Sequence, residues 1–169
     1  MWKQVTFGIM LLLAGAASAS AKATEMRLDA VQQRGAQVMP FSLDQTLHIF
    51  TKTATGGRQQ VLAKEPADAG QIGLIQAHLA KIAGQFAQGD YSDPAQIHGE
   101  DMPGLRTLRA AKPGEIRIEY QTLANGARIN YAAENPRLIE AIHLWFDAQL
   151  RDHARHAVPG HIHDPEHGQ

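Results

Sequence analysis

Residues 115–132 read EIRIEYQTLANGARINYA, and this stretch decides the fold. Ile116, Ile118 and Tyr120 alternate with Glu115, Arg117 and Glu119, the period of a strand with one apolar face. Asn125-Gly126 follows, a pair that accepts the positive φ angles of a tight hairpin turn. Ala127 to Ala132 then returns with Ile129 and Tyr131 inward. Asn135-Pro136 opens a helix, with asparagine at the cap and proline at the first helical position. Its apolar stripe is Ile139, Ile142, Phe146 and Leu150, widened by Leu138 and Trp145, and it is expected to run to about Ala157.

The same order occurs earlier in the chain. Residues 46–53, TLHIFTKT, are rich in β-branched and aromatic side chains. Leu47, Ile49 and Thr51 share one face, which leaves His48, Phe50 and Lys52 on the other and places His48 on the open side of the sheet. Ala54-Thr55-Gly56-Gly57 is a turn, and Arg58 to Lys64 returns with Val61 and Ala63 on one face. Pro66-Ala67-Asp68 starts a helix whose core stripe is Ile72, Ile75, Leu79, Ile82 and Phe86. Thr24 to Val38 reads as a helix closed by Met39-Pro40. The predicted architecture is α+β: an N-terminal helix, then ββα and ββα. Two hairpins form an antiparallel sheet with two long helices packed on one face. Leu74-Ile75-Gln76-Ala77-His78-Leu79 sits beside Leu138-Ile139-Glu140-Ala141-Ile142-His143-Leu144, which reads either as internal duplication or as chance likeness of two amphipathic helices.

Between the two units lies GDYSDPAQIHGEDMPGL, residues 89–105. It has no apolar periodicity, so it is neither a long helix nor a strand. A polar connection of this length inside a domain is typically functional or disordered. Leu105, Leu108 and Ala111 suggest one or two helical turns before Pro113-Gly114.

At the start, Lys3, the apolar run Val5 to Leu13, and the Ala17-Ser18-Ala19 and Ala19-Ser20-Ala21 sites form a secretory signal over residues 1–21. Residues 22–157 are expected to form one domain, with a disordered His-rich tail over 158–169. The expected location is periplasmic or secreted. The apolar run is too short to span a bilayer comfortably, so no stable membrane insertion is expected after cleavage. The 169 residues, 44% hydrophobic and 20% charged, suit one domain with a real core. A formal net charge of -1 gives no basic field to hold nucleic acid. The absence of cysteine excludes disulfides, thiolate metal sites and a Cys nucleophile.

Met39-Pro40-Phe41, Phe50-Thr51-Lys52-Thr53, Gly89-Asp90-Tyr91-Ser92-Asp93-Pro94, Ile97-His98-Gly99, Met102-Pro103-Gly104-Leu105 and Trp145-Phe146-Asp147-Ala148-Gln149 resemble a family of small exported bacterial proteins. The resemblance covers nearly all of residues 22–157. Members often carry the label aspartate carbamoyltransferase. That enzyme has about twice this length, two α/β domains and a Ser-Thr-Arg-Thr phosphate motif. None of these is found here, so the resemblance carries over no activity.

Nine histidines are many for this length. His98, Glu100, Asp101 and Met102 lie together in the central stretch; His and Met suit copper, and His with carboxylate suits zinc or iron. Read blandly, the same stretch is a surface loop with Asx-type turns. His78 and His143 lie on or beside the buried stripes of the two long helices, as packed histidines or as ligands. Asp147, four residues after His143, is placed to pair with it. The expected metal set is His98, Met102, His78, His143 and His48, with copper or zinc as the ion. His153, His156, His161, His163 and His167 form a second cluster, expected to bind transition metals weakly, although His153 also continues the stripe of Phe146 and Leu150. The sequence has no Gly-rich phosphate loop, no H-E-x-x-H and no G-x-S-x-G elbow.

The leading expectation is an exported binding protein for a transition metal or small ligand. A second is a small hydrolase or lyase using His98 with Asp101 or Glu100. A third is a module whose sheet face binds a protein partner and which has no small-molecule site.

Overall fold

The structure is a computed structural model that describes residues 10–161. In chain order it has α1 (Met10–Val38), β1 (Thr46–Thr53), β2 (Gly56–Ala63), α2 (Ala69–Ala87), α3 (Ser92–His98), α4 (Leu105–Arg109), β3 (Ile116–Leu123), β4 (Gly126–Ala133), α5 (Pro136–Asp152) and β5 (Ala157–Pro159). The fold is α+β, built on one five-stranded sheet ordered β3-β4-β2-β1-β5. β1–β2 and β3–β4 are the two expected hairpins, and β2 joins β4 antiparallel at the centre.

Alternation decides which face is buried. Phe50, Val61, Ile129 and Tyr131 are buried on one side of the sheet. Both long helices pack there: Phe86 of α2 lies 6.3 Å from the Tyr131 ring, and Trp145 of α5 lies 5.6 Å from it. Helices α2 and α5 start where the sequence places them, whereas α1 begins at Met10 rather than at the expected Thr24. Asp68 accepts from the Gln71 N–H at 3.0 Å, and Asn135 accepts from the Arg137 N–H at 3.0 Å. Gly57 sits against Phe146, where a Cβ would strike the ring. That close approach seats α5 on the hairpin.

The two ββα units share a register. Thr46–Thr53 and Gly56–Ala63 correspond, seventy residues on, to Ile116–Leu123 and Gly126–Ala133. β2 and β4 carry the same burial pattern, and Gly56/Gly126, Arg58/Arg128 and Ala63/Ala133 are identical. Gln59 pairs with Ile129, its own counterpart, so a local two-fold relation passes between β2 and β4 at that pair. This favours duplication over chance likeness.

Several expectations are corrected. His48 is buried under the helices beside Phe50, and Leu47 and Ile49 take the opposite face. The strand has apolar residues at both parities, and the larger Phe50 takes the core side. Helix α5 stops at Asp152, with His153 at its C-cap. The chain then turns back and lays Ala157–Pro159 parallel to β1, so the sheet is mixed rather than wholly antiparallel. Beyond the ladder itself, two bonds at its ends hold that segment: the His48 N–H donates to His156 O at 2.8 Å, and the Gly160 N–H donates to Phe50 O at 2.9 Å. The expected disorder therefore does not begin at 158. His163 and His167 lie outside the described residues, as do residues 1–9, where the expected secretory signal begins. No described helix is long and apolar enough to cross a membrane. The central stretch is ordered into α3 and α4. Gly104, at a φ of 80°, leaves no room for a Cβ against Ala141 of α5.

Candidate functional site

Four imidazoles line one cavity of about 40 Å³: His48 from β1, His78 from α2, His98 from the end of α3 and His153 from the C-cap of α5. All four are buried. The His98 and His153 ring centroids are 4.9 Å apart and edge-on, while His48 and His153 are 5.5 Å apart and stacked. His78 stands edge-on to Phe41 at 5.6 Å, and Phe41 also contacts His48 at 5.9 Å. Trp145, Gln149, Gln59 and Asp93 complete the polar wall.

The fold holds His98 from behind. Arg27 of α1 donates to the Asp152 carboxylate through Nε at 2.9 Å and Nη2 at 2.6 Å, and Asp152 Oδ2 lies 3.0 Å from His98 Nδ1. Arg34 Nε, on the same helix as Arg27, donates to Ile97 O at 2.6 Å and pins the end of α3. Burial alone pushes the Asp152 carboxyl up. The hydrogen bonds from His98 and Arg27 outweigh it and hold the group well below the usual carboxylate range. An ionised carboxylate only accepts, so His98 Nδ1 carries the hydrogen, and in the neutral ring Nε2 carries the lone pair.

The other three rings are held neutral. Burial pushes His48 down to about 3 and His78 down to about 4, and it holds His153 well below the ordinary histidine value. These folded values lie below the unfolded value of about 6.5, so the unfolded chain binds more protons as the pH falls. Stability is full above about pH 7 and declines through the window from about 6.5 toward 4, with a slope approaching about 1.4 kcal/mol per pH unit for each ring. Asp152 has the opposite charge and the same sign of effect: its contribution is present above about pH 4 and is lost below it. Urea unfolding at pH 7.5, 6.0 and 5.0 should give falling midpoints. A midpoint unchanged to pH 5.0 would show that the rings are not buried neutral.

Two cavity-lining atoms are buried without a hydrogen-bond partner, His48 Nε2 and Trp145 Nε1. Leaving such a group unpaired costs about 1–3 kcal/mol. Among the described residues, no three His, Asp or Glu side chains stand as a ready-formed cation cage.

The cavity gathers His48, His78 and His98 from the expected set and adds His153 from the tail cluster. It does not gather Met102, which packs in the hydrophobic core, since its thioether side chain fits among apolar neighbours. His143 is also apart: its Nε2 lies 2.8 Å from Gly56 O and 3.0 Å from Thr53 O, so the ring closes the first hairpin turn. Asp147 pairs with Lys52 at 2.6 Å instead of with His143. Glu100 pairs with Arg109 on the surface, and Asp101 is exposed; the carboxylate beside His98 is Asp152. His156 lies 3.4 Å from Asp44, and His161 is exposed. A larger open groove of about 650 Å³, near Gly114, Arg117 and Asn135, has no imidazole in its wall.

No family model matches the chain, and neither a curated protein nor a solved structure matches it.

Proposed function

We propose that the chain is an exported binding protein that takes up a transition-metal ion at His48, His98 and His153, with His78 at the rim. The observation that supports this most is the convergence of neutral buried imidazoles on one cavity with His48 Nε2 unpartnered. The cavity size selects the ligand class. A water needs about 10–15 Å³ of such space, so about 40 Å³ holds an ion with one or two waters and no metabolite of ordinary size. Two imidazoles bound to one tetrahedral ion place their ring centroids about 5 Å apart. The 4.9 and 5.5 Å spacings are at that separation, and His48 must turn out of its stack to present Nε2.

Asp152 supports the same reading. A carboxylate behind Nδ1 fixes the tautomer and raises the basicity of Nε2, as outer partners of metal-bound histidines do. Zinc and copper are among the ions that suit imidazole nitrogens. The secretory signal in residues 1–21 is the basis for an exported location.

The test is thermal melting of the full chain with and without Zn²⁺ or Cu²⁺. The His161→Ala, His163→Ala, His167→Ala triple variant serves as background, to remove the C-terminal histidines read from the sequence as a weak metal binder. A ligand at one hundred times its Kd stabilises by about 2.7 kcal/mol, a rise of several degrees for a chain of this size. His98→Gln and His48→Gln should each abolish the rise. A rise that survives both substitutions overturns this site.

The Asp152–His98 pair also suits a general base, the second chemistry open to the site. The cavity volume argues against it, since a substrate larger than a few atoms does not fit.

A further inference from the structure

The sheet has a second face that no described helix covers, and its middle is basic. On β2 and β4 the residues opposite the helix side are Arg58, Gln60, Arg128 and Asn130, all half-buried. Arg58 faces Asn130 across the strands, and Gln60 faces Arg128. The two-fold relation at Gln59 and Ile129 exchanges these pairs, so the quartet is two copies of one Arg-plus-amide unit. The Arg58 side chain makes no hydrogen bond or ion pair among the described residues, and the Arg128 side chain is bonded only to the Gln121 amide. Both Nε atoms are buried and unpartnered. The acid on the neighbouring edge strand, Glu119, stands opposite Asn130 and is paired with Arg117 at 3.4 Å. Beside the quartet, Ile49, Leu47, Leu62 and Val158 form an apolar flank.

We propose that this face binds an extended acidic segment of a partner protein. Its two carboxylates, two residues apart, rest on Arg58 with Asn130 and on Arg128 with Gln60. The spacing carries the proposal. Arg58 and Arg128 are diagonal neighbours on adjacent strands, about 7 Å apart. Side chains at i and i+2 of an extended chain are about 6.6 Å apart and point the same way. An arginine fork accepts a carboxylate through two parallel N–H bonds, and each neighbouring amide adds a donor. The apolar flank accepts a Val, Ile or Leu from the same segment. This site lies across the sheet from the histidine cavity and does not depend on it.

The probe is a fluorescein-labelled heptapeptide, Thr-Glu-Thr-Glu-Thr-Glu-Val, titrated into the full chain at low salt. Its all-Gln version, and a version with its acids three residues apart, are the controls. The Glu-Thr-Glu peptide should bind at least tenfold more tightly than either control and weaken as salt is raised. Arg58→Gln with Arg128→Gln should reduce binding at least tenfold at unchanged melting temperature. His98→Gln should leave it unaffected. Equal binding of the peptide and its all-Gln control, no binding at all, or binding unchanged in the double variant overturns the proposal. So does arginine-dependent binding to anionic lipid vesicles without peptide binding, which would make the face a membrane contact.

Discussion

Asp152→Ala is expected to destabilise the protein by about 3 kcal/mol at pH 7, read from urea unfolding. The carboxylate side chain is fully buried and joins three elements: Arg27 on α1, His98 on α3 and its own helix α5. Removing it leaves the Arg27 guanidinium without its carboxylate and His98 Nδ1 without an acceptor. The Arg27 side chain is 44% exposed, so its charge recovers some hydration. That places the cost at the lower end of the range for a broken buried pair. Asp152→Asn keeps the shape and one acceptor oxygen and should cost about half as much. Arg27→Ala should cost less than Asp152→Ala, because the arginine is the exposed partner. A loss below about 1 kcal/mol for Asp152→Ala would show that the ion pair does not fasten α1 to the domain.

Phe146→Ala should cost about 4 kcal/mol. Phe146 is fully buried, and its ring meets Phe50 at 5.2 Å, Tyr131 at 5.6 Å and Trp145 at 5.8 Å, so it touches both hairpins. Gly57 packs against it with no side chain to fill the space left behind. The strands beneath are tied by their ladder bonds and do not collapse into the void, so the cavity term is added in full to the lost burial. Phe146→Leu should recover more than half of the loss. Leu144→Ala on the exposed side of the same helix should cost under 1 kcal/mol. Similar losses at both positions would mean that α5 does not pack as described.

The hairpins and long helices are legible in the sequence because each carries a local signal. Ile116 to Tyr120 alternates, Asn125-Gly126 supplies the turn, and Asp68 and Asn135-Pro136 start helices. His48 is not legible, since both faces of its strand offer apolar residues and only packing against Phe146 selects Phe50's side. β5 is three residues long and pairs through contacts with a strand more than one hundred residues earlier, so it has no period to read. The site is half legible. His98 stands out as the histidine of a polar connection, and His78 lies on a helical stripe. Asp152 has no local signal beyond being a carboxylate on the apolar face of its helix, seven residues after Trp145. Its partners His98 and Arg27 lie 54 and 125 residues away. Met102 and His143 mislead for one reason: a thioether also serves as core packing, and an imidazole also serves as a partner for backbone carbonyls. The shared arginines of β2 and β4 become meaningful only once the strands are paired.

The most direct measurement is an equilibrium titration of Cu²⁺ into the full chain carrying the His161, His163 and His167 alanines, followed by electron paramagnetic resonance of the bound ion. One ion per chain with imidazole nitrogen couplings, lost in His48→Gln and His98→Gln, is the expected result. No bound ion, or an ion whose nitrogen couplings are unchanged in both variants, would contradict the account of the histidine cavity as a binding site.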